Sequence, residues 1–172
     1  MTSEDGAGVG LAERLAAAEE ISKLKARYFR FMDTKRWADW QDVFAPDALM
    51  DMTGEAAAMR SIGFTIPGDV SFVWRNSEAI CSAVAGALEH VTSAHHGHMG
   101  ELELTSHTEA HGIWAMEDLI LYRAPAPVAG FRGYGHYYED YRKVEGAWLF
   151  RMTVAAQQEM MNAARRDVDM FS

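Results

Sequence analysis

Residues 93–122, SAHHGHMGELELTSHTEAHGIWAMEDLILY, are where the spacing of apolar residues changes from a helical period to a period of two. Leu102 and Leu104 alternate with Glu101 and Glu103. Ala110–Tyr122 then reads as one long strand, with Ile113, Ala115, Leu119 and Leu121 on one face and Trp114, Met116 and Asp118 on the other. Downstream, the Pro125 and Pro127 loop leads to a second pair of strands, Phe131–Val144 and Ala147–Ala156, joined across Glu145–Gly146.

Upstream the pattern is helical. Leu11, Leu15, Ala18, Ile21, Leu24, Tyr28 and Met32 recur at three- and four-residue steps, with Glu13, Arg14, Glu20, Lys23 and Arg27 on the opposite face. Trp37–Ala45 reads as a short second helix stopped by Pro46, and Ala48–Thr53 as a strand. Asn76 or Ser77 caps a third helix running to about Val91, whose stripe is Ile80, Val84, Ala87, Leu88 and Val91. Residues 54–76, broken by Gly54, Gly63, Pro67 and Gly68 yet rich in apolar side chains, read as an ordered insertion or lid. Helices first and antiparallel strands afterwards define an α+β layout, with the helices on one side of a sheet. Residues 1–10 are expected to be a disordered tail and 11–172 a single domain.

The 172 residues carry 16 Lys+Arg against 25 Asp+Glu, a net charge of −9. That balance argues against nucleic acid and against an anionic membrane surface, both of which demand clustered positive charge. The single cysteine, Cys81, excludes an internal disulfide and reads as a small buried hydrophobe. MTSEDGAGVG has no signal-peptide pattern, and no stretch approaches the roughly 18 apolar residues of a membrane helix. A cytoplasmic location is therefore expected. Eleven Met beside 8 Phe, 6 Tyr and 5 Trp suit either a core or the wall of an apolar pocket.

Two places hold polar groups that a purely structural pattern does not require. In ARYFRFMDTK, residues 26–35, Tyr28 lies on the apolar stripe and Asp33 stands where the helix ends, opposing the helix dipole. Both can border one cavity, or Tyr28 is core and Asp33 a solvated end residue. In SAHHGHMG, three histidines fall within four positions. His96, His98 and Glu103 satisfy a cupin-like metal spacing, although no second histidine segment follows. The alternatives are a hydrogen-bonded turn, or a neutral histidine acting as general base and oriented by a carboxylate, for which Asp33 is the best candidate. His136 is a further candidate proton carrier.

The strings LKARYFRFMDTKRWADWQDVFAPDALMD (24–51), HHGHMGELELTS (95–106), GIWAMEDLIL (112–121) and GYGHYYEDYRKVEGAWLF (133–150) resemble SnoaL-like proteins of the nuclear transport factor 2-like superfamily, in order, from about residue 11 to 155. The resemblance implies a cone-shaped α+β barrel: a curved antiparallel sheet with three helices packed on it, around a mostly apolar pocket. The chain is most similar to the cofactor-free lyases of that superfamily, such as scytalone dehydratase, bile acid 7α-dehydratase and hexachlorocyclohexane dehydrochlorinase. By motif position, the resemblance implies Asp33 and His95 as an Asp–His dyad and Tyr28 as donor to a substrate oxygen. It implies a lyase without cofactor or metal, in the catabolism of aromatic compounds, acting on an apolar cyclic or aromatic oxygenated molecule. An isomerase, a polyketide cyclase or a non-catalytic binding module are the alternatives, and a homo-oligomer, trimer or dimer, is implied. Met32, Met52, Trp114, Met116, Tyr137 and His98 are placed at the substrate. Where relatives carry a second pocket tyrosine this chain has Met50 and Met52, and where several carry a last-strand arginine it has Thr153, for which Arg151 is the candidate substitute.

Overall fold

The computed structural model describes residues 9–68, 70–123 and 126–162, with side chains described as far as Thr153. The tail expected over residues 1–10 therefore lies outside the described residues, apart from Val9 and Gly10. The first helix, α1, runs Leu11–Asp33 and buries Ala17, Ile21, Leu24, Tyr28 and Met32. Its first two turns stand clear of the core, so Leu11 and Leu15, expected on the buried stripe, are 64% and 63% exposed. The short helix α2 spans Trp37–Gln41 and buries Trp40. It stops earlier than its periodicity suggests, because Phe44 and Ala45 already belong to strand β1, Phe44–Asp51. Pro46 sits inside that strand where the register shifts, so its missing N–H costs no ladder bond.

Residues 54–76 contribute helix α3, Thr53–Ser61, and the short strand β2, Val73–Arg75, which pairs antiparallel with β1. Helix α4, Ser77–Ala87, starts at Asn76, whose side chain accepts a hydrogen bond from Ala79 N–H at 2.8 Å. It ends before Val91, which opens a long strand instead. Four strands follow: β3 Val91–Leu104, β4 Glu109–Tyr122, β5 Gly130–Val144 and β6 Ala147–Asn162. The β5–β6 turn places Glu145 and Gly146 at φ +49° and +86°, the left-handed pair that a two-residue hairpin loop demands.

The sheet has the order β2-β1-β6-β5-β4-β3, so β2 and β3 are its edges and it does not close on itself. All its pairs are antiparallel except β1–β6, which is parallel, so the sheet is mixed. Register shifts in β3 and in the β5–β6 ladder bend it around the helices. Glycine makes the bend in β3 feasible. A Cβ on Gly97 would lie 2.6 Å from the Phe29 ring, and one on Gly100 2.7 Å from Trp114. The core between sheet and helices is built from Tyr28, Phe29, Trp40, Phe44, Tyr141, Phe150 and their neighbours. No helix among the described residues is long and apolar enough to cross a membrane.

Candidate active site

Alternation along β3 and β4 decides which side chains face the helices. Val91, Ser93, His95 and Gly97 pair with Tyr122, Ile120, Asp118 and Met116 respectively, and this row looks inward. Above it lies a cavity of about 310 Å³. Its walls are Tyr28 and Met32 from α1, Met50 and Met52 at the end of β1, and Ile120, Phe131 and Tyr137 from the sheet. Residues 54–76 supply Glu55, Met59, Ile66, Phe72 and Trp74, so this segment forms one side of the cavity. His95 and Asp118 sit at its polar end.

Asp33, the last residue of α1, takes part in three hydrogen bonds with β3, two of them to His95. His95 Nδ1 lies 2.6 Å from Asp33 Oδ1, the His95 backbone N–H donates to Oδ2 at 2.9 Å, and Ser93 Oγ donates to Oδ1 at 2.8 Å. Burial acts to raise the Asp33 carboxyl, but the His95 and Ser93 hydrogen bonds outweigh it and hold it below its ordinary value. An ionised carboxylate can only accept, so Nδ1 carries the proton and Nε2 is the nitrogen left for a ligand. Burial acts to lower the His95 imidazole, yet the Asp33 hydrogen bond and the charges of Asp118, Asp33 and Glu55 raise it above its usual value. Phe29 stacks beside the imidazole with its ring plane 10° off parallel. The ring is therefore held by a carboxylate on one edge and an aromatic face on another.

Two further carboxyls line the cavity, and neither makes a side-chain hydrogen bond to a described residue. Burial pushes Asp118 up to about 6, against the pull of His95 and Lys25. Burial, then the Asp118 charge, pushes Glu55 up to about 7. Tyr28 and Tyr137 line the same space, and burial raises both phenols well above their ordinary value.

Beneath this floor runs a buried ion pair. Lys25 Nζ lies 2.6 Å from Glu139 Oε1, and its ammonium sits 3.7 Å from the centre of the Tyr137 ring. Tyr141 donates to the other Glu139 oxygen, and Trp114 Nε1–H donates to Tyr141 at 2.8 Å. Burial lowers Lys25 and raises Glu139, each against the attraction of its partner.

Of the residues placed at the substrate by sequence, Met32, Met52 and Tyr137 line the cavity, together with Tyr28 and His95. Trp114 and Met116 face inward but are core, the former committed to Tyr141. They sit below the floor rather than on it, since neither is among the lining residues. His98 falls on the exposed crest of the β3 bulge, away from the cavity. Arg151, the candidate substitute on the last strand, is exposed on β6 and is not among the residues that line the cavity; Thr153 is buried with its hydroxyl unpartnered. His96, His98 and Glu103 are all exposed, and no group of metal-ligating side chains converges among the described residues. His136 pairs with Ala115 and faces away from the cavity. Cys81 is buried, its thiol donating to Trp37 O at 3.4 Å.

Sequence reasoning missed Glu55 and Asp118 as lining residues of the cavity, and Lys25 as the buried cation beneath it. The signal for Asp118 was present: an acid in the same alternating row as Trp114 and Met116, the row that turns inward. Glu55 lay in a stretch without a readable period. A direct test of its state is Glu55→Gln. Its carboxyl has a folded pKa of about 7 against 4.5 unfolded, so the native state holds a proton that the unfolded chain releases, and stability falls as pH rises through that window. Urea melts are expected to show the variant more stable than the parent above pH 7, by up to about 3 kcal/mol, and equal to it below about pH 4.5. A Gln variant less stable at both ends contradicts an unpaired carboxyl.

A curved sheet wrapped by helices over an apolar cavity is the architecture of the nuclear transport factor 2-like superfamily. Residues 13–154 match the SnoaL-like domain, and the chain belongs to that family. Among solved structures it resembles a putative scytalone dehydratase from Novosphingobium aromaticivorans, at TM-score 0.72 and 16% identity, covering 91% of this chain and 94% of that one. It also resembles a LinA-type3 hexachlorocyclohexane dehydrochlorinase from Novosphingobium barchaimii, at TM-score 0.73 and 16% identity over 93% and 99% of the two chains. A Mycobacterium tuberculosis protein of unknown function aligns at TM-score 0.66 and 19% identity, over 89% and 78%. At such identities the likeness is one of fold.

Proposed function

We propose that the protein is a cofactor-independent lyase that eliminates water or a related group from a neutral, oxygenated ring compound, with Asp33 and His95 as its proton-handling dyad. The observation that carries this reading is the 2.6 Å contact between Asp33 and His95 Nδ1 at the polar end of an otherwise apolar cavity. Asp33 fixes the tautomer and stabilises the imidazolium, so Nε2 can accept a carbon-bound proton near neutral pH. Tyr28 and Tyr137 present hydroxyls free of described partners to a substrate oxygen, and a carbonyl held there makes the adjacent C–H more acidic. Met32, Met50, Met52 and Met59 give an adaptable apolar wall. The names of two structural neighbours, a putative scytalone dehydratase and a hexachlorocyclohexane dehydrochlorinase, denote eliminations, which supports this reading.

A suitable probe is 3-hydroxy-1-tetralone, whose dehydration gives 1-naphthol, followed by fluorescence. Wild-type protein is expected to accelerate product formation, His95→Ala to lose the acceleration, and EDTA to leave the rate unchanged. Exchange of the α-hydrogen with deuterated water without elimination points to an isomerase instead. Tight 1-naphthol binding with neither exchange nor product points to a binding module.

A further inference from the structure

We propose that Asp118 is a second acid of this cavity: it protonates the departing oxygen of the substrate and recovers its proton from His95 after each turnover. The inference rests on the lyase reading above and narrows its substrate class to compounds whose leaving group is a hydroxyl, which must be protonated to depart. Its basis is geometric. Asp118 is the Cα partner of His95 across the β3–β4 ladder, so both side chains rise from the same face of the sheet. The His95 backbone N–H is given to Asp33 rather than to β4, which makes His95–Asp118 a pair without mutual backbone bonds. In such pairs the Cα atoms are about 4.5 Å apart and the side chains are at their closest.

The Asp118 side chain is 4% exposed, lines the cavity, and has an Oδ1 that is buried with no hydrogen-bond partner. A second buried carboxyl, Glu139, shows what a structural role looks like. Glu139 has one oxygen on Lys25 and the other on Tyr141. An unpartnered buried carboxylate is costly, so Asp118 without a ligand favours its neutral form. Around it stand His95, Lys25, Asp33, His96 and Glu55, and His95 is its cross-strand neighbour.

The step balances within the protein. His95 Nε2 takes the proton from the carbon next to the carbonyl, the C–H electron pair becomes the new C=C bond, and the C–O bond breaks with its electrons on oxygen. That oxygen takes the Asp118 proton and leaves as water. What remains is an imidazolium beside a carboxylate, and one proton passing between them restores both groups without an external acid.

Asp118→Asn preserves the volume and a hydrogen-bond donor but has no proton to give. With 3-hydroxy-1-tetralone, kcat is expected to fall about 10²–10³-fold. With 3-acetoxy-1-tetralone, whose acetate departs as an anion, the loss is expected to be at least about tenfold smaller, because no general acid is required. Equal losses on both compounds, or none on the alcohol, overturn the proposal while leaving the dyad in place. Infrared spectra of wild-type protein labelled with carboxyl-13C aspartate test it independently of turnover and of the variant's folding. A protonated aspartate band is expected at mildly acidic pH, shifting when 1-naphthol is bound. Its absence overturns the proposal, even where wild-type protein turns over neither tetralone and the lyase reading itself has failed.

Discussion

Asp33→Asn is expected to lower turnover by about 10³–10⁴-fold, on the scale that follows loss of the orienting carboxylate from other histidine-centred sites. The amide keeps the shape of the carboxylate but brings an N–H₂ to where His95 Nδ1 now donates. The hydrogen-bond network then favours the other tautomer, with the proton on Nε2, and the imidazole loses the lone pair that the proposed base requires. Stability changes far less, by about 1–3 kcal/mol, since the amide oxygen still accepts from the His95 backbone or from Ser93. The pH dependence separates these effects. Asp33 titrates below its unfolded value, so its contribution to stability is present above about pH 3.8 and is lost as pH falls through its folded pKa. His95 titrates above its unfolded value, so its contribution is complete below about pH 6.5 and is lost as pH rises through its folded pKa. Urea melts of parent and variant are therefore expected to differ most between those limits. A rate loss under about tenfold shows that the pair is structural.

Lys25→Met is expected to be the most destabilising single change, costing about 3–5 kcal/mol. The substitution matches the volume of the stem but strands Glu139, whose side chain is fully enclosed. Left alone, that carboxyl must hold a proton, so the deficit grows as pH rises above the ordinary carboxylate range. The aromatic faces of Tyr137, Tyr28 and Phe29 also lose the cation they now surround. Adding Glu139→Gln to the first change is expected to restore most of the loss, because Gln offers Tyr141 an oxygen without a charge. Thermal melts are expected to place the single variant about 10 °C below the parent and the double variant between them. A double variant no better than the single shows that the cost comes from packing.

The helical stripe of α1 and the alternation of β4 carried much of the architecture, because each is a local pattern with a fixed spatial consequence, whereas the choice of His95 among the three histidines of the HHGH string came from the family resemblance. Phe44 and Ala45 were less legible. They continue the helical spacing of Trp37 and Trp40, and only their pairing with a distant strand, β6, makes them extended. The parallel β1–β6 contact has no local signature at all. Lys25 lies two residues from each of the exposed Lys23 and Arg27, and its burial depends on Glu139, which lies 114 residues away. Arg151 failed for another reason: it has the parity of the buried Thr153, but the register shift between the Tyr141–Phe150 and Asp140–Met152 pairs leaves it out of the ladder and exposed.

The unclosed sheet leaves β3 with one side unpaired, and His95 stands on that side. An edge strand offers its free N–H groups to any other extended chain. In this protein the N–H of His95 is already taken by Asp33, and α1 lies against the strand. The carboxylate that orients the imidazole thus also blocks the sheet from recruiting another strand. Removing it altogether, as in Asp33→Ala, frees an edge donor beside the cavity as well as releasing His95 Nδ1. Alanine at this position is therefore expected to add self-association to the loss of the proposed dyad, whereas asparagine, whose amide oxygen can accept from the His95 N–H, is expected to keep the edge closed.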